Sequence, residues 1–173
     1  SLTRPTGIGF VPPPDGIVHD SSSCCMADLP RVSRVLMTAD TVGGVWSYAL
    51  QLATLLAGRG VEVILATMGR EPNETQRQEA AAVPNLKMRV SSFALEWMPD
   101  PWDDVSRAGE WLLGLESKEA PDVVHLNGYA HGALPFRSPR VIVAHSCVAS
   151  WWSAVRREAL TGEWRRYVDA VRD

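Results

Sequence analysis

Two histidines and a pair of glycines are the residues of this sequence best placed to do chemistry. His125 lies within the apolar run 122–126 (DVVHL), and His145 closes a second run, 140–145 (RVIVAH), with Asn127 and His131 just beyond the first. A histidine in mid-strand is more often a hydrogen-bonded core residue than a ligand, and that is the reading for His125. His145 stands where a strand runs out into a loop, a position suited to hydrogen bonding or general-base chemistry. Gly43 and Gly44 end the turn 40–44 (DTVGG) ahead of a helical pattern. Backbone can approach a ligand closely there, and the unpaired N–H groups of a helix start favour an anion such as phosphate. A plain strand-to-helix turn accounts for the glycines equally well. His125, His131, His145 and Cys147 would be the ligands of a zinc site, but no HxxxH or CxxC pairing supports one, and no metal is expected.

The elements that must position these residues alternate. Residues 33–39 (SRVLMTA) form an apolar run of strand length, and after the glycine turn Val45, Trp46, Ala49, Leu52, Ala53 and Leu56 recur at helical spacing until Gly58 or Gly60. A second strand spans 61–67, and Asn73 with Gln76 forms a capping box for a helix to about Ala82, ended by Pro84. A third strand covers 86–90. Asp100 offers an N-cap with Pro101 at the first helical position, opening a helix to about Lys118 that buries Val105, Ala108, Leu112 and Leu115. Strands 122–126 and 140–145 follow, and from Trp151 onward the pattern is helical without a stop signal. This order implies an α/β fold, a doubly wound, Rossmann-like parallel sheet, with ligands beyond the carboxyl ends of the strands. The loops to search are therefore 40–44, 68–70, 127–131 and 146–151. Residues 1–31, rich in Gly, Pro and Ser, read as a disordered leader ahead of a domain over 32–173. Trp151 and Trp152 cannot both face one core, so one of them should reach a surface, a loop or an absent domain. Arg156, Arg157, Arg165 and Arg166, interspersed with Glu158 and Glu163, read as a solvated face.

Composition removes several classes of function. The 173 residues are 46% hydrophobic and 21% charged, with 17 basic against 20 acidic side chains, the balance of one soluble domain. A net charge of -3 without a basic cluster argues against nucleic acid as a partner. Cys24, Cys25 and Cys147 imply no disulfide framework and suit a reducing cytoplasm. No signal peptide or membrane span is visible in the sequence; contact with a membrane surface is kept open. A nicotinamide site needs GxGxxG in the first turn and an acid ending the second strand, whereas this chain has DTVGGV and Ala66, Thr67, Met68, with Glu62 at the wrong edge. A phosphoacceptor domain needs several acids beyond the first strand, and Asp40 stands alone. A non-catalytic Rossmann-like binding module stays open as the alternative, with an NAD-dependent enzyme ranked behind it and a phosphoacceptor domain last.

The strings MTADTVGGVWSYALQLATLLAGRGVEVILATMG and PDVVHLNGYAHGALPFRSPRVIVAHSCVASWW resemble the N-terminal domain of GT-B-fold glycosyltransferases, in particular the retaining group 1 (family 4) enzymes. The resemblance runs from about Arg31 to the C-terminus, and it departs from the family at Gly60–Val63, where GVEV replaces the usual GHEV. It implies a hexosyltransferase that uses a nucleotide-sugar donor and a carbohydrate or lipid-linked acceptor, with no cofactor beyond the donor. In that family the N-terminal domain mainly binds the acceptor. By residue-for-residue match, Gly43 and Gly44 would approach the donor diphosphate and His145 would line the catalytic centre beside the transferred sugar. His125, Asn127, Tyr129 and His131 would border the acceptor pocket. The resemblance further implies that a C-terminal donor domain is missing after Asp173, as in a truncated product, a fragmentary gene or a split protein, and that the isolated chain is inactive. The diphosphate would be held without a metal, by helix dipoles and basic groups, since no DxD-like pair stands at a strand end.

Overall fold

The computed structural model describes residues 31–160 and 162–172, with the side chain of residue 163 left aside. The leader expected over 1–31 lies outside the described residues except for Arg31. Five strands, β1 (Arg34–Asp40), β2 (Glu62–Met68), β3 (Leu86–Val90), β4 (Val123–Leu126) and β5 (Arg140–Ile142), pair in parallel in the order β3-β2-β1-β4-β5. Helix α1 (Gly44–Ala57) follows β1, α2 (Glu74–Ala81) follows β2, and α3 (Trp102–Glu119) joins β3 to β4.

The strands read as unbroken apolar runs because both faces of the sheet are covered. Val35, Met37, Ala39, Val63 and Leu65 point to one side and pack on Trp46, Ala49 and Ala53 of α1. Leu36, Ile64, Ala66, Val124 and Leu126 point to the other and pack on Leu112 and Leu115 of α3. Alternation along each strand thus sends successive side chains into two separate cores. The expected apolar face of α3 is the buried one. The capping box of α2 is present, with Gln76 N donating to Asn73 Oδ1 and Asn73 N donating to Gln76 Oε1. Gly60, at φ +76°, supplies the left-handed residue after α1.

The N-terminal edge of the sheet is fastened by Asp122. Its Oδ2 accepts from Ser33 N at 2.7 Å, Ser33 Oγ at 2.8 Å and Arg34 N at 2.8 Å, joining the entry of β4 to that of β1. These bonds, the backbone one from Ser33 first, hold its carboxyl below the usual aspartate value. Because the folded value is depressed, the stabilisation is complete above the unfolded pKa and is lost as pH falls through the folded one. Asp122→Asn is therefore expected to lower the urea midpoint at neutral pH and to shrink the acid-induced loss of stability. An acid limb identical to that of the parent chain would refute the tie.

Three local expectations need correction. Asp100 does not cap α3: its backbone is left-handed (φ +48°) instead of extended, Pro101 occupies the cap position, and Asp104 binds back to Ala94 N at 2.8 Å. Strand β5 ends at Ile142, three residues short of His145. Its partner β4 turns away at Asn127, so after Val143 N donates to Leu126 O the ladder has nothing to continue on. The C-terminal segment is not one helix: α4 (Val148–Trp151) runs into a π-helical turn, Trp152–Arg156, which stops at left-handed Arg157, and α5 (Gly162–Arg172) starts afresh. Of the two adjacent indoles, Trp151 is 50% exposed and Trp152 is half-buried beside Trp164. No helix among the described residues is long and apolar enough to cross a membrane.

Candidate functional site

At the carboxyl edge of the sheet, the chain leaves β1 toward β2 and leaves β4 toward β5, on opposite sides. The divergence opens a crevice between neighbouring strand ends. The turn after β1 is held by Asp40, whose Oδ1 accepts from Val42 N and Gly43 N, each at 2.9 Å. Thr41 Oγ1 donates to Arg70 O and Gln76 Nε2 donates to Thr41 O, which anchors the turn from the side of β2. Gly43 is extended (φ -140°, ψ -157°) and Gly44 begins α1, so neither needs glycine for its conformation. A Cβ added at Gly44 would meet no atom within 4 Å. Space beyond the pair is open to an approaching molecule.

Asn127 organises the opposite rim. As β4 ends, its backbone N–H donates to Thr38 Oγ1 at 2.9 Å and its Nδ2 donates to Thr38 O at 2.6 Å. The remaining amide oxygen lies 3.2 Å from His125 Nε2 and 2.8 Å from His145 Nε2. Tyr48, one helical turn past Gly44 on α1, sets its ring edge-on to His145, with centroids 4.6 Å apart, and tilted against His125 at 6.1 Å. Burial lowers the pKa of His125 below the ordinary value, as does the neighbouring His145, while the bond to Asn127 opposes the shift. Helix α1, strand β4 and the loop after β5 thus converge on one small polar group.

A hollow of about 320 Å³ lies against this arrangement, lined by Asp40, Val45, Asn127, Tyr129 and His145, with Glu96 and Tyr167 beside them. The residues flanking the glycine pair and His145 share this space. His125 sits behind it, half-buried, and does not line it. His131 does not line it: its Nε2 bonds Val105 O of α3 at 3.0 Å, burial lowers its pKa, and it borders an adjoining hollow of about 60 Å³ that shares Asp40, Glu96 and Asn127 with the first. Among the described residues, no three His, Cys, Asp or Glu side chains gather as a metal would require. Among the described residues, the lining contains neither Lys nor Arg, so the basic groups expected to help hold a diphosphate are not part of it.

Two participants carry no local signature in the sequence. Glu96, in the loop after β3, accepts from Ala130 N at 2.7 Å, Tyr129 N at 3.4 Å and Tyr167 Oη at 2.8 Å, and so fixes the loop after β4 and tethers α5. Burial, and then the Glu96 carboxylate, push the Tyr167 phenol up, which keeps it a donor. Gly128 is where this carboxylate passes close, since a Cβ there would lie 3.3 Å from Glu96 Oε2. Tyr48 is the other. Its one hint was an aromatic residue one helical turn beyond the glycine pair.

Residues 42–171 match the family model for Glycosyltransferase Family 4. Among solved structures, the chain is similar to a glycosyltransferase from Rickettsia africae ESF-5, at 12% identity and a TM-score of 0.50 over 72% of this chain and 34% of that one. It is similar also to the glycotransferase of kitacinnamycin, at 14% identity and a TM-score of 0.51 over 81% of this chain and 39% of that one. At these identities the likeness establishes the α/β fold, and the chain spans little more than a third of the length of either structure. No curated protein matches it.

Proposed function

Because the chain belongs to glycosyltransferase family 4, we propose that its crevice is the acceptor-side wall of a sugar-transfer site. Transfer is of the retaining type, from a nucleoside-diphosphate sugar, and is completed by a donor-binding domain outside this chain. The observation that carries the reading is the hollow that Asp40 and Val45, on either side of the glycine turn, share with His145 where the strand connections diverge. His145 bonds the transferred sugar, Gly43 and Gly44 give the diphosphate room to come close, and Asn127 and Tyr129 face the acceptor. His125 and His131 support this rim from behind. The wall's acceptor atoms and aromatic surface, with Asp40, Glu96, Tyr129 and Tyr167 in one hollow, suit a polyhydroxyl molecule. The donor sugar is a substrate, and neither a cofactor nor a metal is part of the proposal.

The isolated 173-residue chain is expected to bind sugars weakly and to transfer none. Titrating the ¹⁵N-labelled chain with sugars and nucleotide sugars should move the amide signals of Gly44, Tyr129 and His145. Shifts confined to α2 and the surface of β3, or steady turnover by the chain alone, would overturn the assignment.

A further inference from the structure

Asn127 makes four hydrogen bonds with its amide groups, and their directions can be assigned from chemistry. The side-chain atom 2.6 Å from Thr38 O must be the nitrogen, because two oxygens would repel at that distance. The other atom is then an oxygen, which only accepts. Both imidazole nitrogens that meet it, His125 Nε2 at 3.2 Å and His145 Nε2 at 2.8 Å, must therefore donate. A neutral ring that donates from Nε2 carries its lone pair on Nδ1, directed away across the ring. Among the described residues no donor bonds Nδ1 of His145, which is exposed at the rim of the hollow.

We infer that Asn127 is a positioning residue that holds His125 and His145 as Nε2–H tautomers, leaving Nδ1 of His145 as a fixed hydrogen-bond acceptor. The thread from Thr38 through Asn127 to His145 ties the buried strand β1 to a loop residue that the sheet no longer holds. Thr38 holds Asn127 at two points, its Oγ1 accepting from the backbone N–H and its carbonyl oxygen accepting from Nδ2 of the side-chain amide. Through an Nδ1 that carries no proton, His145 would take a bond from a sugar hydroxyl and give none to a phosphate oxygen. That last step rests on the sugar-transfer reading; the tautomers do not.

The test is a long-range ¹H–¹⁵N correlation spectrum of the ¹⁵N-labelled chain at a pH where both rings are neutral. Both histidines should show the Nε2–H pattern, each with an Nε2 proton slow enough in exchange to be seen. In Asn127→Leu the Nε2 proton of His145 should exchange about tenfold faster or vanish, with ring shifts moving toward those of free histidine. An Nδ1–H pattern on either ring of the parent chain overturns the inference, and so do Nε2 protons unchanged in Asn127→Leu. If that variant does not fold, the parent spectrum still decides. The measurement needs no sugar, so a failed transfer assay leaves it standing, and a wrong tautomer leaves the transfer reading intact.

Discussion

Replacing Leu112 by alanine is expected to lower the stability of the chain by about 3–5 kcal/mol, in the upper part of the range for buried leucines. Leu112 is 0% exposed and sits on α3 over Leu36, Ile64, Val124 and Leu126, four side chains from three hydrogen-bonded strands. A sheet locked by its ladder cannot close on the void, so the loss of the buried methyl groups is compounded by a cavity that stays open. Domains of this kind are stable by only about 5–15 kcal/mol, so the substitution should bring unfolding within reach of mild urea. Leu55, 61% exposed on the outer side of α1, gives the contrast: alanine there should change stability by about 0.5 kcal/mol or less. Urea midpoints with an unchanged slope would measure both. A loss under about 1 kcal/mol at Leu112 would mean that α3 is not seated on the sheet as described.

The larger functional effect is expected at His145. In a complete transferase containing this chain, His145→Ala should reduce kcat by about a hundredfold or more, the lower part of the range seen when a positioned hydrogen-bonding or proton-transfer group is removed. The acceptor KM should move less, because the proposed contact is to the transferred sugar. The side chain is exposed and its one strong partner is Asn127, so the folded state should lose little. A fall in turnover without a fall in melting temperature separates chemistry from structure. Unchanged turnover would remove His145 from the reaction.

Much of this architecture was legible because parallel strands covered on both sides announce themselves. Arg34–Asp40 and Glu62–Met68 are apolar for nearly their whole length, and no solvent-facing alternation confuses them with hairpins. The α2 boundary was legible because Asn73 and Gln76 satisfy each other within one turn. Where sequence failed, the deciding partner was distant. β5 shortens because Asn127 bonds to Thr38, 89 positions away, and draws β4 off the ladder. The C-terminal helix breaks where Arg157 turns left-handed, which a non-glycine residue does not advertise. Glu96 and Tyr48 became site residues only when three loops and a helix end met. The glycine pair, visible at once as a turn, was less informative about ligands, since Asp40 already accepts from the Gly43 amide.

That carboxylate has a further effect. Asp40 and Glu96 both face the hollow and, among the described residues, no lysine or arginine lines it, so the two carboxylates there are met only by neutral donors, backbone N–H groups and the Tyr167 hydroxyl. Neutral polyols can settle on such a wall unaided, whereas a phosphorylated molecule would need cationic groups from beyond these lining residues.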